Sequence, residues 1–123
     1  MEFLHTDKAP AAIGPYSQAV ETNGFVFTSG QLGIIPDTGA LAHSMAAQTV
    51  QALENVVSVL KSADLALTNV VKTTCFLANM GDFAAFNGVY GKYFTGKPAR
   101  SCVAVKQLPK NVLAEVEVIA VVE

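Results

Sequence analysis

The 123-residue sequence predicts an α+β fold: one mixed sheet, as a single domain over residues 1–123, with two helices packed on one face. Three observations predict it. Short β-type segments around an Asn-Gly turn are followed by a helix, a strand, a helix and two strands. The later strands alternate with a period of two, and the helices repeat at three to four. Hydrophobic residues make up 51% of the chain and charged residues 15%, more apolar than one small core requires. Helices on one face leave the other face bare, and this composition argues that another subunit covers it.

Glu2 to Thr6 forms a short first strand. Two prolines and a glycine make Ala9 to Pro15 irregular. Tyr16 to Val20 is extended, Asn23-Gly24 makes a two-residue hairpin turn, and Phe25 to Ser29 returns as a strand. Gly30 ends it, either as a turn glycine or as a point of close backbone approach. Ile34 to Gly39 is a loop. Ser44 to Leu60 is a helix capped by His43 or, with better chemistry, Ser44; Ala47, Val50, Leu53, Val57 and Leu60 mark its buried stripe. Val70 to Ala78 is a strand with Val71, Thr73, Cys75 and Leu77 on one face. Asp82 caps a second helix that runs to about Phe94, with Phe83, Phe86, Tyr90 and Phe94 as its apolar contacts. A strand from Arg100 and a last strand from Val112 to Val122 complete the chain.

The formal net charge is −2, with no lysine or arginine cluster and no tryptophan, which argues against a nucleic-acid partner. Cys75 and Cys102 sit in apolar strand contexts and read as free thiols in a reducing compartment. No histidine–cysteine cluster has zinc-ligand spacing, and no glycine-rich element suggests a nucleotide, so neither metal nor cofactor is expected. The N-terminal ten residues lack an apolar core and a basic character, and no apolar run spans a bilayer; the expected location is the cytoplasm, with no membrane partner.

Two places could carry chemistry. Arg100 is the only arginine, at a strand start set by Pro98. Its rigid fork fits a carboxylate bidentately, as lysine cannot, though a surface ion pair is the plainer use. Glu115 and Glu117 share one face of the last strand between apolar neighbours. Either that face meets water, or a desolvated carboxyl there exchanges protons near neutrality, with Arg100 a candidate for the same site. Cys102 alternates with valine and alanine and reads as packing rather than as a nucleophile.

Five ordered segments resemble the RidA (YjgF) family of reactive-intermediate deaminases. They are Ala9 to Gln18, Thr28-Ser29-Gly30-Gln31, Val70 to Thr74, Pro98 to Cys102, and Leu108-Pro109-Lys110 leading into Glu115-Val116-Glu117. The resemblance implies a chorismate-mutase-like fold and a homotrimer whose sheets form a central barrel, with ligand clefts between subunits. It implies cofactor-independent hydrolysis of 2-iminobutanoate and 2-iminopropanoate to 2-oxo acids and ammonia. Arg100 would bind the substrate carboxylate and Glu115 would activate water and shuttle protons. Backbone groups at Gly30 and Cys102 would contact substrate or water, and Tyr16, Ser29 and Asn87 would line the cleft. The segment from Phe94 to Arg100 is shorter than is usual in that family, with Lys97 where an aromatic commonly precedes the proline. A non-catalytic trimer that binds small 2-oxo acids is the alternative reading, and an RNA-acting or chaperone-like protein a third.

Overall fold

The computed structural model describes residues 1–123. Seven strands form one sheet: β1 (Glu2–Leu4), β2 (Ala19–Thr22), β3 (Phe25–Thr28), β4 (Gln31–Leu32), β5 (Val70–Leu77), β6 (Ala99–Ala104) and β7 (Ala114–Val121). Their order across the sheet is β1-β2-β3-β7-β5-β6, with β4 also paired to β7. All neighbours run antiparallel except β5 and β6. A parallel pair needs a long crossover, and helix α2 (Phe83–Tyr93) supplies it. Helix α1 (Met45–Lys61) links β4 to β5 and packs against α2 and β7.

Both helices lie on one face, as expected. The core between sheet and helices contains Val26, Cys75, Leu77, Val116 and Val118 from the strands and Leu53, Val56, Leu60 and Phe86 from the helices. The opposite face has no cover. Phe27 pairs with Ile119 and Val20 there, Phe25 with Val121, and Phe3 with Val20. Phe3, Phe25 and Phe27 are exposed.

The turn chemistry holds. Asn23 and Gly24 take φ of 52° and 80° and join β2 to β3. Ser44 rather than His43 caps α1, its hydroxyl accepting from the Ala47 amide at 3.0 Å. Four expectations need correction. The buried face of α1 runs through Thr49, Ala52, Leu53, Val56, Val59 and Leu60, whereas Ala47 and Val50 are exposed and Val57 is half-buried. Polar Gln48 and Asn55 are buried in that helix because loop backbone groups satisfy them. A register shift between Val70 and Lys72 breaks the alternation of β5, so Val70 is buried and Val71 is exposed. Asp82 makes no side-chain cap; instead Asn79 accepts from Gly81 at 2.7 Å and starts a single turn ahead of α2. The extended register reaches β2 only at Ala19, because Tyr16 and Ser17 belong to the preceding irregular segment.

Candidate functional site

The expected site residues fall into two groups on opposite faces of the sheet. Arg100 pairs with Thr73 across β5–β6, and Glu115 pairs with Phe76 across β5–β7. Thr73 and Phe76 are three residues apart on one strand, so their side chains point to opposite faces. Arg100 therefore lies on the helix side, at the edge strand, and Glu115 on the bare side. Within one chain they do not form the shared site that their closeness in sequence had raised as a candidate.

The first group surrounds a groove of about 800 Å³, lined by Tyr16, Ser29, Gly30, Leu32, Ile34 and Glu115 among others. Gln18 builds its wall. This buried side chain accepts from the Thr6 amide at 2.7 Å and donates to the carbonyls of Thr6 and Pro10 at 3.0 and 2.8 Å. Those bonds fix the proline-rich segment before Tyr16. Ser29 donates to the Ser17 carbonyl at 2.6 Å, which leaves its lone pairs free to accept. Gly30 leaves the Glu115 carboxyl its space: a Cβ there would stand 2.7 Å from the Glu115 Cδ and overlap the carboxylate. Burial raises the Glu115 pKa, and the like charge of Glu117 raises it further. A shift in that direction makes the carboxylate a better proton acceptor than a free one.

The second group comprises Asn87, Arg100 and Cys102. Arg100 Nη1 donates to Asn87 Oδ1 at 2.7 Å. Its Cζ stands 4.8 Å from the Tyr90 ring centroid and 5.4 Å from that of Phe83. No carboxylate lies within salt-bridge distance of it; the one such contact within the chain joins His5 and Asp7. Cys102 is half-buried beside it and in register with Cys75; both are free thiols. Burial raises both thiol pKa values, that of Cys75 to about 12; the Thr73 hydrogen bond is the main opposing cause at Cys75 and the Arg100 charge at Cys102. Neither is poised as a nucleophile. The short connection before Arg100 closes as a turn, with the Lys97 amide on the Phe94 carbonyl at 3.2 Å and Lys97 at φ 53°.

Sequence reasoning placed Phe83 and Tyr90 only among the packing contacts of α2. Their spacing with Asn87, at i, i+4 and i+7, is the signal that joins them to Arg100. Gln18 and Lys110, which also borders the groove, were missed as well.

Comparison with known proteins decides the family. The family model described as Endoribonuclease L-PSP matches residues 6–122. The 2-iminobutanoate/2-iminopropanoate deaminase of Salmonella typhimurium is 48% identical over 122 residues, covering 96% of this chain and 95% of that protein. The chain belongs to the RidA (YjgF) family. Among solved structures, Escherichia coli TdcF with bound serine matches with a TM-score of 0.96 and 40% identity over the full length of both chains. YyfA of Yersinia pestis, from the Rid family, matches at 0.96 with 46% identity over 98% of each chain. The two-helix α+β architecture found here is thus the RidA fold. Many relatives carry only a family name, such as the RutC family protein of Pasteurella multocida, 48% identical over 98% of this chain and 97% of that protein.

Proposed function

We propose that the protein is a cofactor-independent deaminase that hydrolyses small 2-imino acids, and their enamine tautomers, to 2-oxo acids and ammonia. The observation that carries this reading is the sole arginine, held by an uncharged partner with no carboxylate of its own. The relative named for this activity adds weight. In this reading three copies join through their bare sheet faces, and Arg100 of one subunit meets the Glu115 groove of its neighbour. The exposed Phe3, Phe25 and Phe27 favour such an assembly.

The chemistry then follows. Arg100 pairs with the substrate carboxylate and fixes the C=N carbon against the groove. Glu115 takes a proton from a water as its oxygen bonds to that carbon. The same carboxyl returns that proton to nitrogen, giving a carbinolamine; it then takes the hydroxyl proton and passes it to the amine as the C=O forms and the C–N bond breaks, so that ammonia and the 2-oxo acid leave. An enamine first takes a proton at C3, the β carbon of its C=C bond, which gives the imine. Water donors and acceptors at Ser29 and the Gly30 backbone suit the attacking water. The Cys102 backbone and Tyr16 complete the cleft.

A coupled assay tests this. A threonine dehydratase supplies 2-iminobutanoate, and 2-oxobutanoate formation is followed with and without the protein. Acceleration is expected, with a loss of at least about 100-fold in kcat/KM for folded Arg100→Ala. An Arg100→Ala variant as active as wild type would sink the carboxylate clamp. Carboxylate binding without acceleration would replace the enzyme by a 2-oxo acid binding protein.

A further inference from the structure

We infer that Tyr90, Phe83 and Asn87 are positioning residues that hold the Arg100 guanidinium as a carboxylate receptor with its charge uncancelled by any carboxylate of its own chain; this rests on the proposed role of Arg100. An arginine side chain has several rotatable bonds, and a free one would lose that mobility on binding. Here it is confined beforehand. Tyr90 and Phe83 both lie within cation–π reach of it. Tyr90 cannot swing away. Its hydroxyl shares a buried 2.8 Å hydrogen bond with Thr73, and its ring packs on Phe86 and Phe94 at centroid distances of 5.7 and 4.6 Å.

Asn87 supplies the last restraint without cancelling the charge. Its amide oxygen takes one of five guanidinium N–H donors and leaves four. An aspartate at that position would make the same contact and also neutralise the receptor, competing with any carboxylate ligand. Asn87 thus acts on Arg100 rather than merely lining a cleft, and the choice of asparagine over aspartate keeps the site open. Phe83, Asn87 and Tyr90 form one stripe of α2, so the crossover helix that permits the parallel β5–β6 pair also sets the arginine.

Because Arg100 is the only arginine, its Nε–H gives a single arginine side-chain resonance in a ¹H–¹⁵N spectrum. Tyr90→Leu is expected to shift that resonance and to raise KM for 2-iminobutanoate by about fivefold or more, with kcat changed less. Tyr90→Phe, which keeps the ring, recovers most of both effects. Asn87→Asp is expected to raise KM, and the Kd for 2-oxobutanoate, by about tenfold or more. Tyr93→Phe is the control: Tyr93 lies on the same helix but donates to Glu54 at 2.7 Å, away from Arg100. A folded Tyr90→Leu with an unmoved resonance and wild-type KM overturns the inference. If Tyr90→Leu does not fold, Asn87→Asp decides alone, and unchanged ligand affinity there overturns it. Should wild type hydrolyse no imine, the deaminase reading fails, while the resonance and the 2-oxobutanoate titration still judge the positioning of Arg100.

Discussion

A methyl group at position 30 would overlap the Glu115 carboxylate, so backbone and carboxyl share one small space. Gly30→Ala must therefore displace Glu115, since the added Cβ cannot yield. The expected variant is folded, with imine hydrolysis reduced about as far as in Glu115→Ala; by positioning arguments a displacement near 1 Å costs on the order of 100-fold. Activity within twofold of wild type would show that Glu115 need not lie against residue 30. The raised pKa of Glu115 has a consequence for stability too. Burial, and secondarily Glu117, oppose its charged form. Its contribution is thus full below the ordinary value of 4.5 and is lost as pH rises through the higher folded value. Glu115→Gln removes that loss. Its melting temperature relative to wild type should climb as pH rises from about 4.5 to 7; a flat difference over that range would mean that the charged carboxylate is not opposed. The half-buried position keeps the gain small.

At the level of elements, α1 shows where pattern reading succeeds and where it stops. Its length and its serine cap are legible because they rest on local chemistry. Its buried face is not, because Gln48 and Asn55 occupy that face and interrupt the apolar repeat. Their partners lie far along the chain: Gln48 accepts from the Leu113 amide at 2.8 Å, and Asn55 donates to the Leu32 and Ile34 carbonyls at 2.9 Å each. No local rule shows that these carbonyls need donors. The misplaced Val71 has a similar cause, since the irregularity that flips it exists only in register with β7. The second helix was legible by composition, whereas its true start depends on the Asn79 turn. Asn55 also supports the groove wall, because Leu32 and Ile34 line the groove beside Glu115. Asn55→Leu keeps the volume but leaves the half-buried carbonyls of Leu32 and Ile34 without their donor. A loss of about 2–4 kcal/mol in urea unfolding is expected, together with weaker binding in the groove. A variant as stable as wild type would mean that water replaces the amide at no cost.

For the whole molecule, the bare sheet face was legible before any coordinates, because the order of elements puts both helices on one side of a single sheet. The division of the candidate site was not. Arg100 and Glu115 are separated by only fourteen residues, yet the antiparallel return of β7 beside β5 and the parallel β6 place them on opposite faces. Only register decides this, and register is a long-range property. If each cleft takes Arg100 from one copy and Glu115 from the next, the two inactive variants should complement each other. Arg100→Ala and Glu115→Ala, unfolded together in equal amounts and refolded, would form mixed trimers. With random mixing about a quarter of the clefts then join an intact Arg100 to an intact Glu115. Imine hydrolysis should return to about that fraction of wild type, while each variant refolded alone stays inactive. Size measurements on the same samples establish that trimers have formed. Trimers that mix subunits yet regain no activity would place both residues of each cleft on one chain, and would require the face assignment of β6 relative to β7 to change on assembly.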